Sequence, residues 1–150
     1  MKKLLLLFAM ASSCLVAVES GAQVSTPPPP QPPATLGPAD AAYKADRDKI
    51  AAEYKAAKAQ CDTMKGNTKD VCTEEAKGKE KIAKAELDQQ RKPSDSNARK
   101  VAEAKVEATY NVAKEKCDDQ KGEAKDACVK QAKADESQGK ADIKAMKKTM

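Results

Sequence analysis

CDTMKGNTKDVC, residues 61–72, returns 56 positions later as CDDQKGEAKDAC, residues 117–128. Each string opens and closes on a cysteine, carries Lys-Gly near its centre and follows it with Lys-Asp. The match extends outward on both sides. Residues 43–88 and 99–144 share 18 identities over 46 pairs, among them Tyr54/Tyr110, Cys61/Cys117, Gly66/Gly122 and Cys72/Cys128. The chain therefore contains one module written twice.

The text around these strings is Ala, Lys, Glu, Gln and Asp, which favours helix. Apolar residues recur at steps of three, four and seven: Tyr43, Ile50, Tyr54, Ala57, Cys61, Met64. The second copy repeats the phase with Val106, Tyr110, Ala113 and Cys117. Downstream run Cys72, Ala76, Ala83, Leu87 and Cys128, Ala132, Gly139, Ile143, Met146. Such heptad-like spacing, close to that of a coiled coil, marks one apolar stripe per helix. Asp40→Lys44, Glu75→Lys79, Glu80→Lys84, Asp126→Lys130 and Glu136→Lys140 have the favourable i,i+4 orientation.

Helix punctuation is repeated too. Lys65-Gly66 and Lys121-Gly122 place a cation in a last turn before a glycine free to adopt the left-handed conformation. Asn67-Thr68 offers a cap in the first copy. Pro93 with Ser94-Asp95-Ser96-Asn97 stops one helix and caps the next. The expectation is an all-α chain of four helices near 39–65, 68–91, 95–121 and 124–147. They form two tandem αα-hairpins, as an elongated pair or a loose four-helix bundle.

Cys61 and Cys72 flank the first turn, Cys117 and Cys128 the second. Helices in contact lie about 8–10 Å apart, closer where alanine lines the seam, and a disulfide needs Cα atoms roughly 4.4–6.8 Å apart. A tight hairpin tip meets that requirement. Four cysteines allow three pairings. The duplication selects Cys61–Cys72 and Cys117–Cys128, one staple per copy. A redox centre calls for Cys-x-x-Cys, and a zinc site for close Cys/His pairs. Neither pattern is present, and no metal or other cofactor is expected.

Composition makes these staples important. Lys2-Lys3, the apolar run Leu4–Val18 and the small residues Ser20-Gly21-Ala22 read as a secretory signal, residues 1–22, cleaved near Ala22. A rival reading lipidates Cys14 after Ala11-Ser12-Ser13, although the apolar run continues past that cysteine. Cleavage removes Lys2, Lys3 and Glu19, leaving 26 basic and 22 acidic side chains. It also leaves an even set of four cysteines, as suits an exported, disulfide-bonded protein. No later segment reads as transmembrane.

In the chain from Gln23 onward, Leu, Ile and Val number 11 against 24 alanines. A wide apolar core is excluded. Thin helix seams, disulfide staples and cores completed by self-association remain the available solutions. Residues 23–38, with Pro27-Pro28-Pro29-Pro30-Gln31-Pro32-Pro33, read as a polyproline spacer. The hairpin repeats then occupy 39–92 and 93–150.

The sequence contains no histidine, so His-mediated acid–base chemistry is excluded. Glu74-Glu75 and Asp118-Asp119 are adjacent, so a helix turns them about 100° apart, and a solvated face accounts for them. The six glycines are scattered and form no phosphate loop. An enzyme is not expected. Acids interleave with lysines along most of the chain. The last helix is the most basic place, and Lys140, Lys144, Lys147 and Lys148 are candidate contacts for an anionic polymer such as lipopolysaccharide or nucleic acid.

The segments YKAAKAQCDTMKGNTKDVCTEEAKGKEKIAKAE (54–86) and YNVAKEKCDDQKGEAKDACVKQAKADESQGKAD (110–142) resemble a group of small exported Gram-negative proteins. That group is sometimes labelled TolA-like cell-envelope proteins. The specific part of the likeness is the repeated Cys-Asp…Lys-Gly…Lys-Asp-x-Cys. It implies a periplasmic location and no established activity. The expected role is non-enzymatic, structural or partner-binding, with an envelope protein or a second copy as partner. Binding of anionic polymers is the alternative.

Overall fold

A computed structural model describes residues 37–149, and the side chains to 146. The stretch expected to be a secretory signal, Cys14 and most of the expected proline spacer lie outside the described residues. Four helices follow in order: α1 (Pro38–Cys61), α2 (Gly66–Arg91), α3 (Asp95–Cys117) and α4 (Gly122–Thr149). Among the described residues there is no strand.

Local chemistry sets most of these bounds. Pro38, the last residue of the expected spacer, opens α1 one residue before the expected helix start at 39; its fixed φ suits a first helical position that needs no N–H partner. Ser94 caps α3 as the sequence suggests, its Oγ accepting from the backbone N–H of Asn97 at 3.1 Å. The Asn97 side chain then donates to the Lys92 carbonyl at 2.8 Å, satisfying the end of α2.

The hairpin tips differ from expectation in one respect. α1 and α3 stop at Cys61 and Cys117, four residues short of Lys65 and Lys121. Residues 62–65 and 118–121 make the reversal, so neither lysine lies in a last helical turn. Gly66 and Gly122 are left-handed, both at φ +56°, but they begin α2 and α4. The reason is the bridge: a cysteine pair with Cα atoms 5.5 Å apart draws the helix ends closer than a longer α1 would permit. Asn67 consequently caps nothing. Its side chain reaches across to the Glu115 carbonyl of α3 at 2.8 Å. Met64, assigned to the apolar stripe, falls in the turn and is 39% exposed.

Both expected disulfides are present. Cys61–Cys72 and Cys117–Cys128 have Cα separations of 5.5 and 5.6 Å. The stripes face inward otherwise: Cys61, Ala76, Cys117, Ala132 and Ile143 are buried, and Tyr43, Ile50, Tyr54, Val106, Tyr110 and Leu87 are half-buried.

Helices touch only their neighbours in sequence. α1 meets α2, α2 meets α3 and α3 meets α4; among the described residues no other pair is in contact. The two hairpins thus pack side by side through α2 and α3, the most extensive of the three seams. The result is one serpentine layer. Its centre is a close approach of Gly78 to Ala108: a Cβ on Gly78 would sit 2.8 Å from that of Ala108. Ala104 is buried on the same helix. Ion pairs border this seam, Lys105–Glu86 at 2.8 Å, Lys116–Glu75 at 3.5 Å and Lys81–Glu107.

Candidate functional site

Three places gather chemistry-bearing side chains: the hairpin tips, the open end of the first hairpin and the outer edge of α4. At each tip a carboxylate clips the turn. Asp62 pairs with Lys69 at 3.0 Å and with Lys58 at 2.9 Å; Asp118 pairs with Lys125 at 2.9 Å. Hydrogen bonds from Lys58 and Lys69 hold the Asp62 carboxyl below the usual aspartate range. Cys61 and Cys117 are 1% and 0% exposed, while Cys72 and Cys128 are half-buried. The bridges stand at the ends of thin seams, where closing the turn is the work available to them.

The open end of hairpin one holds a polar latch. The Tyr43 hydroxyl donates to Asp88 and accepts from Arg47 at 3.0 Å. Arg91 pairs with Asp40 and lies over the Tyr43 ring at 4.2 Å, within cation–π range. The hydrogen bond to Tyr43 raises the Arg47 pKa further above its ordinary value. Every member has a partner, so the cluster ties α1 to α2.

Of the four lysines singled out in the sequence, the structure brings Lys140 and Lys144 to one exposed edge of α4; the side chains of Lys147 and Lys148 lie outside the described residues. Glu136 accepts from Lys140 at 2.6 Å and raises its pKa. Lys130 and Lys133 share that exposed edge and were missed in the sequence. The signal was the helical wheel: at 3.6 residues per turn Lys130, Lys133, Lys140 and Lys144 fall within about 80° of arc, beside the apolar stripe of Cys128, Ala132, Gly139 and Ile143. Of the expected i,i+4 pairs, Glu80–Lys84 and Glu136–Lys140 form. Asp40 and Glu75 turn instead to Arg91 and Lys116 on neighbouring helices.

Shallow open grooves run between the helices. Two lie between α3 and α4: one near 210 Å³, lined by Val106, Tyr110, Ala113, Ala132, Asp135 and Glu136, and one near 530 Å³, lined by Glu103, Val106, Glu107 and Ile143 with Lys140 and Lys144. Among the described residues no three His, Cys, Asp or Glu side chains converge as a metal site. No buried side-chain N or O there lacks a hydrogen-bond partner.

No family model, curated protein or solved structure matches this chain.

Proposed function

We propose that the protein is a non-enzymatic helical protein of the periplasm or cell envelope with a structural or partner-binding role. The observation that carries this reading is the single-layer arrangement. Each helix touches only its sequence neighbours, so long faces of all four remain outward for an envelope protein or a second copy. Two disulfides suit an oxidising compartment. No helix among the described residues is long and apolar enough to cross a membrane, in keeping with a surface or soluble-phase role for the hairpins. Crosslinking in intact cells followed by mass spectrometry tests it. Discrete adducts with an envelope protein or with a second copy are the expected result; a chain that yields neither, or that fractionates with the cytoplasm, removes the proposal.

A second reading, binding of anionic polymers, is favoured by one observation: α4 carries four of its lysines, Lys130, Lys133, Lys140 and Lys144, on a single exposed edge.

A further inference from the structure

We propose that the outer edge of α4 is a docking face for an anionic lipid surface, an inference that rests on the anion-binding reading and names its partner. The edge is a row of four exposed lysines, Lys130, Lys133, Lys140 and Lys144. It extends about 21 Å along the helix at 1.5 Å per residue. Lys140 shares its charge with Glu136. Lys130, Lys133 and Lys144 have no ion-pair partner among the described residues, whereas most lysines on α2 and α3 that border a seam are paired.

The duplication supplies the comparison. The first-copy counterparts of these four residues are Glu74, Lys77, Lys84 and Asp88. In α2 the acids have internal work: Glu74 holds Lys77 at 2.7 Å, and Asp88 receives the Tyr43 hydroxyl. In α4 both acids are lysines, so the row changes from two of each sign to four positive charges. This reversal falls on α4, which among the described residues contacts α3 alone. The acids that remain nearby are Asp126, exposed at the start of the row, Glu136 beside Lys140, and Glu103 and Glu107 of α3, which line one groove with Lys140 and Lys144. Asp135 and Asp142 lie across the helix from the row, where they accept from Gln131 at 2.7 Å and Gln138 at 2.8 Å.

The chemistry of the row favours a headgroup surface over nucleic acid. All its cations are lysines, compact point charges suited to diffuse phosphate arrays; bidentate phosphate and base readers are typically arginines. The edge has no aromatic residue on which a base could stack. Ala134 and Ala141 lie between the lysines, so the face offers little apolar surface to insert and adsorbs by charge. The two disulfides suit an oxidising compartment outside the cytosol.

The test uses the purified oxidised protein and flotation with phosphatidylcholine vesicles, with and without phosphatidylglycerol at roughly one lipid in three. Binding is expected only with the anionic lipid, and it should fall as salt shortens the screening length toward about 8 Å. Each lysine near such a surface multiplies partitioning about fivefold. Lys130→Glu with Lys144→Asp, which writes the first copy's residues into α4, should therefore weaken it about 25-fold or more. The four-lysine-to-glutamine variant, which adds no acid but removes all four cations, should weaken it roughly 600-fold, and both variants should keep the far-UV circular dichroism of the parent. Lys55→Glu with Lys65→Asp makes the same charge change on α1 and its turn and should have a much smaller effect. Three results would each overturn the inference: no dependence on anionic lipid, an equal loss in the α1 control, or tighter binding of duplex DNA through the same lysines. Tighter DNA binding through these lysines would leave the anion-binding reading standing without its lipid partner, whereas binding to neither anionic lipid nor DNA would remove both.

Discussion

The two hairpins are alike at their tips and unlike at their open ends. Each tip has a bridge with Cα atoms 5.5 or 5.6 Å apart, a left-handed glycine at φ +56° and an Asp–Lys clip near 3 Å. Away from the tip, hairpin one is tied by Tyr43, Arg47, Asp88, Arg91 and Asp40. Hairpin two replaces these five with Arg99, Glu103, Lys144, Lys147 and Ser96 and closes by apolar fit. There Val106 sits over Gly139, where a Cβ would meet its Cγ2 at 2.6 Å, and Ile143 is 8% exposed. The contrast teaches that the shared turn fixes the module, while the seam beyond it can be closed by charge or by packing.

Removing a bridge should test the shared part and give the largest effect. Cys61→Ala with Cys72→Ala, and Cys117→Ala with Cys128→Ala, should each lose about 3 kcal/mol in denaturant midpoints, because both close loops of the same length. Unequal losses would show that the tips are not equivalent after all.

The open ends should then respond differently. Ile143→Ala should cost about 2 kcal/mol, the low end for a buried isoleucine, with hydrogen exchange accelerating in α4 and not in α1. Gly78→Ala addresses the joint between the hairpins. Forcing α2 away from Ala108 costs about 1–3 kcal/mol, which outweighs the gain of roughly 1 kcal/mol in helix propensity. Its exchange signature should concentrate on α2 and α3.

Tyr43→Phe should cost about 1 kcal/mol by leaving Asp88 without its hydroxyl donor, and the loss should shrink in high salt. Ile143→Ala should show no such salt sensitivity.

The smallest effect is a pH response at the first tip. Lys58 and Lys69 depress the Asp62 pKa, so its stabilisation is present above the unfolded value near 4 and disappears as pH falls through the lower folded value. Comparing midpoints of the parent and Asp62→Asn across that acid range checks the sign: the gap should close as the pH drops.

The tips were legible in the sequence because glycine, cysteine and the duplication point to the same turn. Helix ends were less so. Asn67 reads as a cap until α3 is placed beside it, and no local rule reveals that the Glu115 carbonyl lies within reach. The α2–α3 seam left a fainter trace. Val101, Ala104, Ala108 and Val112 form a second apolar stripe on α3, where α1 has Ala45, Asp48, Ala52 and Ala56. That difference between copies, rather than any likeness, marks the helices that lie inside the layer. The α4 edge was half legible: the terminal lysines stand out as a cluster, whereas Lys130 and Lys133 join them only once the helical phase is fixed by Cys128 and Ile143.

Contacts limited to adjacent helices also bear on how the chain reaches this state. Every seam is closed by a short excursion, so relative contact order is low and folding should be fast, in the microsecond-to-millisecond range of helical proteins. For each of the four bridged cysteines the nearest of the other three along the chain is its native partner. Oxidation can therefore proceed hairpin by hairpin, with little need for reshuffling.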